Sequence, residues 1–377
     1  MSEQNFMKTK RFFTACVAGL IGVMSTGCAI AEPATLKEAF HDDFLVGVAI
    51  NRAQFSGEDK RGVPIIESQF NCISPENVLK WESVHPEPDR YDFSGPDQYV
   101  EFGEKNHMAI IGHTLVWHNQ TPAWVFEDAQ GNPLTRDALL QRMHDHIMTV
   151  VGRYKGRIKG WDVVNEALNE DGSMRKTKWE KIIGDDYIEK AFQYAHEADP
   201  KAELHYNDYS LENAPKRNGA IALIRKLKAE GIPITAVGLQ GHDKMDWPTT
   251  QQEDETISAF AALGVKVMIT ELDIDVVPAT QHNRTADITA NARQVDGATA
   301  YTNGLPDSVQ QALAQRYADL FKVYLKHRDV VERVTFWGVT DGDSWLNGPG
   351  RVNYPLLFDR AGKAKPAFDA VIGVGQQ

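Results

Sequence analysis

A chain of 377 residues, 42% apolar and 24% charged, has room for one large α/β barrel or two ordinary domains, and its composition excludes a disordered or fibrous protein. The formal charge of −12 argues against a nucleic-acid partner, whose phosphates are held by cationic contacts. Of the three cysteines, only Cys72 lies beyond residue 28, so the body of the chain has neither a disulfide framework nor a cysteine-rich zinc pattern.

At the N-terminus, Lys8, Lys10 and Arg11 precede an apolar run from Phe12 to Met24, the layout of a signal peptide over residues 1–31. The run has no polar face, which argues against a buried helix, and it is short for a membrane span. Two exits compete. Ala29-Ile30-Ala31 is a small-x-small cleavage site, whereas Ser25-Thr26-Gly27-Cys28 resembles a bacterial lipobox that would place a lipid anchor on Cys28. Export is expected in either case, to the medium, the periplasm or the outer membrane. Loss of residues 1–31 removes three cations and one acid and leaves a formal charge of −14. Residues 32–377 contain no Pro/Gly/Ser-rich linker after residue 35 and read as one domain, expected to be a monomer.

Within that domain, short apolar runs ending in polar or aromatic residues recur at Phe44 to Ile50, Asn71 to Glu76, Ala109 to Trp117 and Ile158 to Glu166. Four more follow at Leu204 to Tyr209, Ala236 to His242, Val265 to Glu271 and Val334 to Asp341. Helical periods separate them, as in Ala220, Leu223, Ile224 and Leu227, or Leu313, Tyr317, Leu320, Phe321 and Tyr324. Strands alternating with helices imply a parallel sheet, and eight such units predict an α/β fold, a single (β/α)8 TIM barrel. A doubly wound sheet would carry a Gly-rich turn after its first strand; here Gly47-Val48-Ala49-Ile50-Asn51-Arg52 stands there. The stretch from Asp275 to Pro306 has no clear period and reads as a long loop over the carboxyl ends of the strands.

Active sites of this fold form where strands run out into the following loops, so polar residues there are the candidates. The fourth run ends in Asn165-Glu166 and the seventh in Thr270-Glu271. The two glutamates are 105 residues apart, three units of about 35, which sets them on strands facing each other across the mouth. Paired carboxylates across a cleft are what glycoside hydrolysis requires: one protonates the leaving oxygen, and the other acts at the anomeric carbon or activates water. No three-histidine or His-Glu-x-x-His set is present, and His144 and His146 lie two apart on a helix, off a common face. Neither a metal nor a cofactor is expected.

Trp161-Asp162-Val163-Val164-Asn165-Glu166-Ala167 and Ile269-Thr270-Glu271-Leu272-Asp273 resemble the two signature strands of family 10 glycoside hydrolases, the barrel xylanases. The resemblance extends from about residue 37 to the C-terminus through Glu76-Asn77-Val78-Leu79-Lys80-Trp81, Gly112 to His118 with Gln120-Thr121-Pro122, Gly238 to His242, and Phe336-Trp337-Gly338 with Trp345. It implies endo-hydrolysis of 1,4-β-xylosidic bonds with retention, Glu166 as general acid/base, Glu271 as nucleophile and Asn165 as donor to the 2-hydroxyl of the sugar at the cleavage point. His242 would hydrogen-bond the nucleophile and hold it ionised. Glu76, Asn77, Lys80 and Gln120 would bind sugar toward the non-reducing side, with His113, Trp117, Gln240, Trp337 and Trp345 around the cleaved residue and Tyr209 toward the leaving group. The partner implied is xylan or a xylo-oligosaccharide. Cellulose and mannan remain alternatives, since other barrel glycosidases share the Asn-Glu pair and the later Glu. A binding lipoprotein without catalysis is the alternative from another class.

Overall fold

The computed structural model describes residues 34–278 and 300–377; the leader with Cys28, and the middle of the long loop expected over Asp275 to Pro306, lie outside the described residues. Strands β1 (Leu45–Ile50), β2 (Cys72–Pro75), β3 (Ala109–Val116) and β4 (Gly160–Asn165) are followed by β5 (Glu203–Asp208), β6 (Ala236–Leu239), β7 (Lys266–Asp275) and β8 (Val331–Phe336). Each pairs in parallel with the next, and β8 pairs with β1, which closes the sheet into the expected eight-stranded barrel. Helices cover the outside. Their buried residues include the periodic sets read from the sequence, Ala220, Leu223, Ile224 and Leu227 in Ala214–Ala229 and Leu313, Tyr317, Leu320, Phe321 and Tyr324 in Asp307–Lys326.

Helix starts follow local chemistry. Thr135 caps Arg136–Arg153 by accepting from the Ala138 N–H, and Thr249 and Gln252 form a capping box at Thr250–Ala261. On the first of these helices His146 is fully buried and stacks on Trp81 with ring centroids 3.5 Å apart, so it is a packing residue. Tyr99 ties the helix Ser94–Lys105 to the barrel by donating its hydroxyl to the carbonyls of Ile73 (2.9 Å) and Ile111 (2.8 Å).

Three strands depart most from the sequence expectation, the seventh by running past Glu271 to Asp275. The eighth starts at Val331, because Glu332 and Arg333 belong to it despite their charge, and it stops at Phe336, short of the expected Asp341. Arg333 lies inside the barrel, 1% exposed, with its guanidinium donating to Ser74 Oγ (3.2 Å) and Thr335 Oγ1 (3.3 Å). Gly47 makes space beside it, since a Cβ there would fall 2.7 Å from Thr335 Oγ1. The sixth run does not continue unbroken to His242. It breaks at Gly241, whose φ of 74° suits glycine, and resumes as a short strand His242–Lys244 that pairs with the far end of β7, His242 opposite Asp273. This offset carries His242 alongside the strand that bears Glu271.

Candidate active site

The carboxyl ends of the strands open into a cleft. Glu166, Glu271, Asn165, Glu76, Asn77, Lys80 and Gln120 line it together with His113, Trp117, Gln240, His242, Trp337 and Trp345, and Asp343 joins them unpredicted. The structure does not bring Tyr209 into the cleft. Its side chain is 1% exposed, accepts from Arg175 Nη2 at 2.5 Å and lies under the Lys216 ammonium, 3.3 Å from the ring centre.

Glu166 follows the last residue of β4 with φ +57°, a left-handed turn that costs a non-glycine residue about 1–2 kcal/mol. Its N–H is held by the carbonyl of Asn207 at 2.9 Å, one bond that sustains this conformation. The carboxylate is buried, and Gln240 Nε2 (3.2 Å) and Asn165 Nδ2 (3.3 Å) donate to its Oε1. Burial, then the charge of Asp208, push this group up to about 6, against hydrogen bonds from Trp117 and Gln240, and the charge of Glu271 adds to the rise.

The Glu271 carboxylate is held differently. Asn207 Nδ2 donates to Oε1 at 2.8 Å and His242 Nε2 meets Oε2 at 3.2 Å. Burial would raise it, but the His242 hydrogen bond, the nearby His113 and His242 rings and the Asn207 amide together bring it below its ordinary value. His242 is itself clamped, with Nδ1 on Asp273 Oδ1 at 3.1 Å, and Trp345 Nε1 donates to the other oxygen of Asp273 at 2.7 Å. Burial disfavours charge on the imidazole, yet Asp273 and Glu271 outweigh it and lift His242 to about 10. At neutral pH an imidazolium therefore sits between two carboxylates.

Around this pair the neighbours fix orientation. Asn207 Nδ2 (2.9 Å) and Gln240 Nε2 (3.2 Å) both face Asn165 Oδ1; the reversed amide would set two donors against its nitrogen, so the nitrogen points to Glu166. Asp162 holds His113 Nδ1 at 2.9 Å and His205 Nδ1 at 3.2 Å, which leaves His113 Nε2 for the cleft. Trp337 stands edge-on to His113, centroids 5.4 Å apart. Toward the other end, Lys80 Nζ donates to Gln120 Oε1 (2.9 Å) and Asn77 Oδ1 (3.2 Å) and lies 5.0 Å over the Trp117 ring. Burial pulls this ammonium below its ordinary value, while Glu271 and Glu76 work against that. Burial and then the charge of Asp343 push the half-buried Glu76 up to about 7 against the pull of Lys80.

One carboxyl poised to hold a proton and one held ionised, with polar and indole groups along a cleft, is an arrangement for acid-assisted displacement at a sugar carbon. The model of a family described as glycosyl hydrolase family 10 matches residues 35–374. The chain belongs to glycosyl hydrolase family 10. This family 10 hydrolase is 44% identical over 365 residues to a protein named endo-1,4-beta-xylanase A from Xylanibacter ruminicola, covering 96% of this chain and 99% of that one. Among solved structures, a GH10 endoxylanase retrieved from sugarcane soil metagenome superposes with a TM-score of 0.85 at 45% identity, covering 90% of this chain and 99% of that one. TsXylA, an intracellular xylanase from Thermoanaerobacterium saccharolyticum, does so at 0.80 and 36% identity, covering 90% and 98%, in the form of a mutant in complex with xylotetraose.

Four residues of the hydrolase's site were not singled out from sequence: Asn207, Asp273, Asp162 and Asp343. Asn207 had a signal, since it is the last residue but one of β5, in register with Asn165 on β4. Asp273 lies two residues beyond Glu271, hence on the same face of an extended β7, but the predicted strand stopped short of it. Asp343 lies in an irregular loop after β8, where no period marks an inward residue.

Proposed function

We propose that this chain hydrolyses internal 1,4-β-xylosidic bonds of xylan with retention of configuration, Glu166 serving as general acid/base and Glu271 as nucleophile. The observation that carries the assignment is the opposed ionisation of the two glutamates, Glu166 raised to about 6 and Glu271 lowered. In the first step Glu271 attacks the anomeric carbon while Glu166 gives its proton to the departing oxygen, leaving a glycosyl ester on Glu271. Esterification removes the charge of Glu271, one of the contributions that raise Glu166. Glu166, now more acidic, stays ionised until it takes a proton from the attacking water, which releases the sugar and restores both carboxyls. Asn165, its nitrogen directed at Glu166, lies where it donates to the 2-hydroxyl of the sugar, a contact that tightens in the transition state. Glu76, Asn77, Lys80 and Gln120 read hydroxyls on the non-reducing side, and the Trp117, Trp337 and Trp345 faces carry pyranose rings.

Xylan is the substrate favoured by the names of the relatives and by the set Glu76, Asn77, Lys80, Trp337 and Trp345. Reducing-sugar release from xylan, carboxymethylcellulose and mannan tests it, and xylan as the poorest of the three defeats it. For the roles, Glu166→Ala keeps part of its activity on aryl xylobiosides with good leaving groups and is rescued by azide with retention, whereas Glu271→Ala is inactive on both kinds of substrate. Azide rescue of Glu271→Ala with retention reverses the assignment. The protein acts as an exported monomer, either released by cleavage after Ala31 or anchored through Cys28; mass spectrometry of the mature N-terminus and sedimentation of the purified enzyme check both statements.

A further inference from the structure

Asp343 belongs to the cleft but not to the chemistry around Glu166 and Glu271. It follows β8 in a turn where its Oδ2 accepts from the Thr340 N–H at 2.9 Å and the Thr340 hydroxyl at 2.8 Å, so the carboxylate is fixed in place. Oδ1 takes no hydrogen bond among the described residues, and no Lys, Arg or His lies within ion-pair distance of it there. Its charge is felt by Glu76, the other acid at the non-reducing end of the cleft. Lys80 is the one Lys or Arg among the lining residues described, and its ammonium is already taken by Asn77 and Gln120 and faces Glu271, Glu76 and Glu166. Asp343 is therefore a fixed negative charge at this end of the cleft, beside a Glu76 carboxyl raised to about 7 and a Lys80 ammonium already engaged.

We propose that Asp343 is a specificity-determining residue: it repels carboxylate-bearing, uronosyl substituents on the sugars bound at the non-reducing end and directs the enzyme to neutral stretches of chain. The inference rests on the proposed action on xylan, whose backbone sugars carry either neutral pentosyl or anionic uronosyl branches. A hydroxyl-rich neutral sugar gains from an acceptor oxygen such as Oδ1, whereas a sugar acid brings a like charge into a partly dry cleft. At a separation of about 6–8 Å and an effective dielectric between the near-surface value of about 20 and that of water, that repulsion corresponds to roughly 10-fold in kcat/KM.

The experiment compares wild type with Asp343→Asn, which removes the charge and keeps an oxygen for Thr340. Each acts on an unsubstituted xylo-oligosaccharide and on the same oligosaccharide carrying one glucuronosyl branch on its non-reducing half. The substituted-to-plain ratio of kcat/KM rises by about 10-fold in Asp343→Asn, and an unchanged ratio overturns the proposal. Should the variant not fold, the wild type alone decides, because discrimination by charge weakens as ionic strength rises from about 0.01 to 1 M and discrimination by shape does not. Failure of the wild type to cleave the plain oligosaccharide refutes the action on xylan itself; cleavage of it with an unchanged ratio refutes the role of Asp343 alone.

Discussion

His242→Gln removes the imidazolium between Glu271 and Asp273 while keeping an amide that reaches Glu271 as a neutral donor. In the wild type the ring meets Glu271 Oε2 at 3.2 Å and Asp273 Oδ1 at 3.1 Å, both charge-assisted. Exchanging a charged hydrogen bond, about 1.5–3 kcal/mol, for a neutral one leaves the nucleophile less stabilised as an anion. The difference of about 1–1.5 kcal/mol corresponds to an expected fall in kcat/KM of about 5- to 15-fold at the optimum. The acid limb of the pH profile moves to higher pH, since Glu271 loses the chief influence that holds it below its ordinary value. Stability carries a second signature with a definite sign. The folded imidazole titrates at about 10 against an ordinary value of 6.5, so its contribution is fully present below about pH 6.5 and is lost as pH rises through about 10. That interval corresponds to an effect on the order of 5 kcal/mol. Urea denaturation followed from about pH 6 to pH 9.5 reads it: wild type loses stability over that window and His242→Gln loses much less. An unmoved acid limb together with an unchanged pH slope of stability would refute the reasoning.

Asp208→Asn removes a charge that helps raise Glu166, so the basic limb of kcat/KM, expected near pH 6 in the wild type, moves to lower pH; a shift to higher pH contradicts the electrostatic account. The thiol of Cys72 is 0% exposed, and burial is the main cause lifting it to about 11, so the native enzyme leaves a thiol-specific reagent unreacted at pH 8 and denaturation releases one equivalent from this residue. Gly112→Ala would set a Cβ 2.1 Å from the Trp161 ring in the strand pair beneath the cleft, and a loss of about 1–3 kcal/mol or more in urea denaturation is expected; an unchanged midpoint shows that the ring has another place to go.

Much of the fold was legible because its cause is local and repeats. A parallel strand buried on both faces is apolar throughout, a covering helix is apolar every three or four residues, and eight alternations close a barrel. The structure departs from expectation where that rule is suspended. Arg333 is a charge inside the barrel, accommodated only because Ser74 and Thr335 offer oxygens and Gly47 offers room, and these partners come from three separate strand positions. Tyr209 stands one residue past β5, yet its ring is drawn beneath Lys216 and its hydroxyl to Arg175, a preference set by cations distant in the chain.

The site divides in the same way. Glu166 and Glu271 were identifiable from their places at strand ends three units apart, and the wider cleft from residues matching a known family along nearly the whole chain. Which glutamate holds a proton was not derivable from the residues alone, because both are Glu and both are buried. What differs between them is set by tertiary structure: the Gly241 break and the short strand beside β7 bring His242 and Asp273 to Glu271, while Asp208 places a like charge near Glu166. Periodicity along a chain specifies which residues enter the mouth of the barrel; the ionisation of each depends on charges contributed by other strands, and only their closure into a ring sets those distances.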